Sequence, residues 1–446
     1  MTTANGSLLT YSSGYEVRQF YMSATTNNLY GFIGKVDPWA DDLNPPLPSQ
    51  TQYLNKEVSK NMFAAKQILA SDIAPVIPRN DWTAGTVYSY YIDTTETFVY
   101  DTNGIINSNF YVRNSYDQIF KCVWNNNGNP STVEPQLYPG YTDPYETIAL
   151  SDGYKWIYIT TIDKGLKQKF FDINWMPLSL NYTVPSSLSL GGLGKLDAIN
   201  VTNGGNNYTN GFTTTNITIT GDGSGAIAYA NVYSNTVQDI IITNSGNNYT
   251  YCNVSIVPAT GYSGNGANAF VVISPIGGNG LDPVAELGCN HVMISLEMNG
   301  NDEGIVLSNT SYRQMGIILN PLMNDGSSPT NATYNTSDLA YVSIGTGNYN
   351  VGETVYQGTS LNNSTFSGLV AGFDQFNNII SIINISGTYN IGEILTGNLS
   401  GTSRILLNYD TPSFLPDSGY ILYLENRSPV SRTLQDNEQF RIVLGF

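Results

Sequence analysis

A mainly β chain is predicted by this sequence: an antiparallel β-sandwich framework with one or few helices, carrying two small inserted β-repeat modules. Composition points there first. Charged residues make up only 12% of the 446 residues, and Gly, Asn, Thr, Ser and Tyr take their place, with 32 tyrosines. Tyr, Thr, Val and Ile suit pleated, half-buried surfaces, while Asn and Gly supply the positive-φ positions of tight turns. Short apolar runs bounded by turn residues are the second observation. The third is internal repetition at a fixed offset.

Residues 1–185 form a first region. It holds the one strong helical pattern, residues 50–69, where Leu54, Val58, Met62, Ala65 and Leu69 recur at three- to four-residue spacing. Strand-like runs surround it: Phe98-Val99-Tyr100, Phe110-Tyr111-Val112, Ile119 to Trp124 before an Asn127-Gly128 turn, and Tyr154 to Ile162. Residues 186–280 carry almost no charge and repeat themselves. Ile199 to Thr209 (INVTNGGNNYT) recurs as Ile240 to Thr250 (IIITNSGNNYT), and Gly223 to Ala230 recurs as Gly264 to Val271. Tyr208 and Tyr249, Gly225 and Gly266, Ala226 and Ala267 are all 41 residues apart. Each copy reads as a small meander of three strands. A second pair lies in residues 336–410: Gly347 to Val355 (GNYNVGETV) recurs as Gly387 to Leu395 (GTYNIGEIL) at an offset of 40. It continues into Phe366 to Phe373 and Leu399 to Leu406. Residues 281–335 and 411–446 regain bulky apolar residues, and Tyr420 to Leu424 and Phe440 to Leu444 read as core strands around a turn at Asp436-Asn437.

A formal charge of −17 repels polyanions, and no basic patch offsets it, which excludes nucleic acid as a partner. Cys122, Cys252 and Cys289 are odd in number and far apart, so they form no disulfide framework and read as small buried hydrophobes. The first residues lack a basic start and an apolar core, and no apolar run reaches the ~18 residues of a membrane span. A chain made and folded in a cytoplasm, with no membrane insertion, is the expectation.

No reactive centre emerges. Gly264-x-Gly266-x-x-Ala269 matches a loose nucleotide-binding glycine pattern but lies in a repeat, outside any strand–helix unit. His291 is the one histidine, and it enters an apolar strand two residues after Cys289 without a nucleophile elbow. Asp41-Asp42 and Asp302-Glu303 sit on loop-like segments, and the turns at Asp101 and Asp222 lack a full calcium-ligand series. No cofactor or metal is called for.

Several motifs in the outer segments follow one another in order: Val36-Asp37-Pro38-Trp39 with Pro45-Pro46-x-Pro48, the helical pattern, and Val76-Ile77-Pro78-Arg79-Asn80-Asp81-Trp82. Then come Asp152-Gly153-Tyr154-Lys155-Trp156-x-Tyr158, Tyr312-Arg313-Gln314-Met315-Gly316 running on to Asn320-Pro321-Leu322, and Tyr423-Leu424-Glu425-Asn426-Arg427-x-Pro429. In this order they resemble the baseplate wedge subunit, of the gene-eight product type, of T-even-like contractile-tailed bacteriophages. The resemblance covers residues 1–185, about 290–325 and about 415–446, and both repeat pairs fall outside it. They look like the Gly/Asn-rich β-repeats of cyanophage structural proteins.

The resemblance implies a non-enzymatic, homodimeric wedge component in the tail baseplate of a virion, bridging other baseplate wedge proteins. It implies framework or interface roles for Pro38, Trp39, Pro78, Arg79, Asp81, Trp82, Asp152, Gly153, Trp156, Arg313, Asn320, Pro321, Glu425, Asn426 and Arg427. In that setting Arg79 and Asp81 flank a turn, Asp152-Gly153 is a turn feeding an aromatic strand, and Glu425-Asn426-Arg427 is a polar corner. The repeat inserts would be autonomous surface modules. A glycan- or receptor-binding tail component is the alternative that the Tyr-rich repeats raise, and a polysaccharide-degrading enzyme a further one.

Overall fold

The computed structural model describes residues 16–17, 19–20, 28–48, 54–92, 100–102, 108–138, 145–180, 194–211, 215–275, 277–300 and 305–446. It is 50% strand and 8% helix, built from several antiparallel sheets, so the mainly β expectation holds. In chain order the strands are β1 (Leu29–Gly34), β2 (Met62–Gln67), β3 (Ile73–Pro78), β4 (Tyr111–Arg113), β5 (Gln118–Asn125), β6 (Ile148–Ala149), β7 (Tyr154–Thr161), β8 (Trp175–Pro177), β9 (Leu196–Asn206), β10 (Thr215–Gly221), β11 (Ser224–Tyr233), β12 (Thr236–Asn247), β13 (Cys252–Pro258), β14 (Asn265–Ile273), β15 (His291–Asn299), β16 (Thr310–Leu319), β17 (Thr333–Asn335), β18 (Asp338–Val342), β19 (Thr354–Gly358), β20 (Ser364–Asp374), β21 (Ile379–Gly387), β22 (Ile394–Gly397), β23 (Ser403–Asp410), β24 (Tyr420–Arg432) and β25 (Asn437–Gly445). Short helices are α1 (Leu54–Asn61), α2 (Lys164–Phe170) and α3 (Pro283–Glu286).

The chain forms two units. One comprises Met1–Phe20, Ala74–Met293 and Ile442–Phe446, the other Tyr21–Ile73 and Ile294–Arg441. The framework segments are therefore divided between the units, and each unit holds one of the repeat pairs.

In the second unit a five-stranded sheet runs β17-β2-β1-β16-β24. Its core gathers Tyr30, Phe32, Val58, Met62, Ala65, Ile318, Tyr334 and Phe414. The helix expected over residues 50–69 is corrected here: α1 stops at Asn61 and Met62 opens β2. Residues 50–53 lie outside the described residues, as do Phe98 and Val99 of one expected strand. Helical spacing misled because Phe63 and Ala64 are as buried as Met62 and Ala65. The run is covered on both faces, and the backbone bonds of a strand flanked by β1 and β17 prevail over helix propensity. Leu69, expected on the apolar face, is exposed. β24 is likewise an edge strand, with Tyr420 70% and Leu422 44% exposed, and not the core strand expected.

In the first unit the period-41 repeats form one interlocked body in place of two successive meanders. β9 of the first copy pairs with β14 of the second, and β11 of the first pairs with β12 of the second. β10 pairs with β13, its counterpart. Ile199 faces Ile240, its own equivalent, so a pseudo-twofold axis passes between them. The exchange is reciprocal in detail. Tyr208 N donates to Asn235 O (3.0 Å), and Tyr249 N donates to Gly194 O (3.1 Å). Gly205 and Gly246 take φ of 64° and 62°, which side chains rarely adopt. Gly264 lies against the Tyr208 ring and Gly223 against the Tyr249 ring, each where a Cβ would overlap the aromatic carbons. Both rings are buried in a shared core with Leu196, Val201, Val237 and Val271.

The period-40 repeats also join across copies and close a six-stranded barrel, β18-β21-β20-β19-β22-β23, in which β19–β20 and β22–β23 are pairs within one copy. β18 pairs with its equivalent β21, and β19 with β22. Gly352 N donates to Val370 O and Gly392 N to Leu406 O, both at 2.8 Å. That correspondence matches Val370 with Leu406, so the Phe366-Ser-Gly and Leu399-Ser-Gly segments are not counterparts: the first lies inside β20, the second in the turn before β23. Alternate residues point inward, among them Val355, Val370, Ile382, Leu395 and Leu406. Closure removes the exposed edges that separate copies would carry.

Two measurements check this architecture. Gly223→Ala and Gly264→Ala should each cost about 1–3 kcal/mol in urea unfolding, since the Tyr249 and Tyr208 rings cannot withdraw from the core. In the barrel, burial pushes the Asp338 carboxyl up from 3.8 to about 7. Its neutral form stabilises the fold below the ordinary carboxylate range, and that stability is lost as pH rises through about 7. Asp338→Asn should therefore gain on the wild type progressively between these limits, levelling at about 1–3 kcal/mol above pH 8.

Candidate functional site

The motif residues collect in two polar clusters, one in each unit. In the second unit the Pro38–Trp39 loop is clamped to β16 and β24. Arg313 on β16 is buried and grips Asp42 through Nε (2.9 Å) and Nη2 (2.7 Å), while its Nη1 donates to Val36 O (2.6 Å). The hydrogen bonds from Arg313 hold the Asp42 carboxyl below its ordinary range. Trp39 donates its indole Nε1 to Arg427 O (3.1 Å) and receives Lys35 Nζ over its ring at 4.4 Å. Asn426 Nδ2 donates to Pro46 O (3.0 Å) and its Oδ1 accepts from Gln314 Nε2 (2.9 Å). Glu425 lies 3.9 Å from Arg427. Pro38 is exposed at the tip of the clamped loop.

The expected polar corner at Glu425-Asn426-Arg427 instead runs within β24, where Glu425 and Asn426 pair with Met315 and Gln314 and a break begins at Arg427. Tyr312 pairs with Val430 and Gln314 with Asn426, so the residues between them bulge from the ladder. A bulge accommodates Pro429, which has no N–H to donate. Asn320 and Pro321 are not in this cluster. They close the far end of β16, where Asn320 takes φ of 49° and accepts from Asn28 N (3.0 Å).

In the first unit Asp81 bridges two arginines, Arg79 Nε at 2.8 Å and Arg113 Nε at 2.6 Å. Burial works against its ionised form, but the bonds from Arg113 and Arg79 prevail and hold its carboxyl low. Arg113 continues to Asp117 (2.6 Å), which Lys167 also holds (2.7 Å). Both guanidinium groups stand 4.7 Å from the centre of the Phe171 ring. Pro78 ends β3 opposite Trp175. Trp82 Nε1 donates to Ser131 Oγ (3.1 Å), and Ser131 donates to Asp152 (3.1 Å). Asp152 also accepts from Thr132 N, Val133 N and Tyr154 N, so it fastens the turn in which Gly153 takes φ of 84°. Trp156 is fully buried on β7, stacked on Tyr154 at 5.6 Å.

No family model and no curated protein matches the chain.

Among the described residues no group of three or more His, Cys, Asp or Glu side chains could hold a metal. His291 is buried at the start of β15, tilted against Trp175 at 4.8 Å, with burial lowering its pKa. Cys289 Sγ turns to backbone oxygens of Val76 and His291, both at 3.4 Å. Asp302 and Glu303 lie outside the described residues. Cys122 and Cys289 are buried as expected, whereas Cys252 is only half-buried.

Sequence reasoning missed the polar ties that seat the first repeat body. Lys155 of β7 reaches Asp239 (2.8 Å) and Ile199 O (3.3 Å), and Asn200 Nδ2 donates to Val123 O (2.7 Å). Phe270 packs against Tyr90 and Trp124 at 5.7 and 5.9 Å. Such ties do not suit an autonomous surface decoration. A second network, missed altogether, joins Lys121, Glu286, Asn279 and Asp197. Its one sequence signal is a lysine inside the apolar run Ile119 to Trp124.

Arg313→Met should release the clamped loop. Chymotryptic cleavage after the exposed Leu43 is expected to accelerate roughly tenfold with the remaining strands intact. Equal cleavage of variant and wild type would contradict the clamp.

Proposed function

We infer that the chain is a structural component of a contractile-tail baseplate wedge, bridging neighbouring wedge proteins and pairing with a second copy of itself. One observation carries the reading. Motifs that resemble those of the wedge subunit, widely separated in sequence, draw their polar residues into the clamp of Trp39, Asp42, Arg313 and Arg427. A scaffold needs such fixed loops more than it needs a reactive centre. The charge of −17 keeps free subunits apart and soluble before assembly. No helix among the described residues is long and apolar enough to cross a membrane.

Exposed apolar residues supply a place for neighbours. Ile344 and Phe376 at the barrel are 90% and 92% exposed. They lie beside Ser343 and Asn378, which Arg404 holds together through their oxygens. Large apolar side chains presented on a fixed rim are typical of interface anchors. The competing reading, a glycan- or receptor-binding tail component, draws on Tyr233, Tyr251 and Tyr262, exposed on the interlocked repeats.

Two tests separate the readings. Mass spectrometry and electron microscopy of purified virions should find the chain in the tail, with density at the baseplate. Its absence from tails would contradict the wedge role, and strong signals on a glycan array would favour the rival. Ile344→Ser with Phe376→Ser should yield a folded chain that assembles poorly. Normal incorporation would remove this surface from the contact.

A further inference from the structure

We propose that Lys121 and Asn279 become joined by an intramolecular isopeptide bond, with Glu286 as the proton acceptor. Lys121 sits in the middle of β5 with its side chain wholly buried, and the Glu286 side chain is 3% exposed. A lysine is seldom placed there without a specific partner. Its Nζ donates to Glu286 Oε1 at 2.6 Å and to Asn279 Oδ1 at 2.9 Å, and stands 4.5 Å from the centre of the Tyr91 ring. The amide is fixed from its other side: Asn279 Nδ2 donates to both carboxylate oxygens of Asp197 at 2.9 Å. Glu286 is fixed too, its Oε2 accepting from Gly280 N at 2.7 Å. An amine, a carboxamide and a carboxylate are thus held in mutual contact where water is excluded. This is the arrangement in which amide exchange gains most from proximity and suffers least from hydrolysis.

The step balances within the protein. Glu286 takes a proton from the Lys121 ammonium, and the freed Nζ lone pair attacks Asn279 Cγ, whose oxygen is already polarised by the lysine. The Nζ–Cγ bond forms and the Cγ–Nδ2 bond breaks. Of the two protons that Nζ gives up, one leaves on Nδ2 as ammonia and the other stays on Glu286. No electron is transferred, and no co-reactant is needed. A buried pair of opposite charges becomes a neutral amide and a neutral acid, which removes the cost of keeping ions from water. The bond would close a loop across a sequence separation of 158 residues, and so tie β5 to the segment leaving the interlocked repeats.

Intact-mass measurement of the full chain under denaturing conditions decides the matter. The wild type should weigh less than its sequence by one ammonia. A tryptic digest should lack cleavage after Lys121 and contain a branched peptide joining the segments of Lys121 and Asn279. Lys121→Met, Asn279→Ala and Glu286→Gln should each restore the full mass, and the wild-type measurement stands even where a variant fails to fold. A wild-type mass equal to the sequence, or an ammonia loss mapping elsewhere, overturns the proposal. Bond formation in Glu286→Gln overturns the role given to Glu286.

Discussion

In the first unit the strands of each repeat copy find their hydrogen-bonding partners in the other copy. In the barrel each copy keeps one pair of its own, β19–β20 or β22–β23, while the other seams join the copies. The organisation of both units follows from that exchange. β9 completes β14, β11 completes β12, and in the barrel β18 and β19 meet their own equivalents. A single copy would expose backbone donors and acceptors along every strand and leave its tyrosine without the glycine platform that the other copy supplies. Copies so arranged fold together or not at all. A small number of glycines enforce the arrangement, because the close approaches at Gly223 and Gly264 leave no room for a side chain.

Polar contacts then decide how these bodies are held within their units. Lys155 and Asn200 seat the interlocked repeats on the β5–β7 sheet, and the Lys121–Glu286 pair lies beneath the segment that leaves them. In the second unit Glu353 is buried within the barrel and accepts from Leu399 N, Ser400 N and Asn350 N, locking one copy's turn to the other copy. Buried charges of this kind are weak contributors to stability when compared with apolar packing, yet removing one partner is costly. They act as registry devices, fixing one arrangement among several that would bury similar area.

Much of this was legible in the sequence, for identifiable reasons. The repeats were visible because Gly205, Gly223 and their counterparts occupy positions that other residues cannot. The turn at Asn127-Gly128 and the strand that leads into it were visible because turn chemistry is local. The pairing between copies was not visible, since an offset of 41 fits successive meanders as well as an interlocked pair. The stretch after Asn61 misled because a strand buried on both faces carries no alternation, and its apolar residues fit a helix by chance. Glu425 to Arg427 misled in the other direction: a polar run before a proline reads as a corner, whereas a bulge lets β24 continue through it. The clamp partners Asp42 and Arg313 lie 271 residues apart, a distance over which no local pattern reports.

If repeat copies complete one another, they must open together. Native-state hydrogen exchange on the full chain tests this most directly, by comparing amides of β9 and β11 with those of β12 and β14. The account predicts one shared opening free energy and one shared denaturant dependence across all four strands. Two separate openings, with β9 and β11 exchanging while β12 and β14 remain protected, would contradict it.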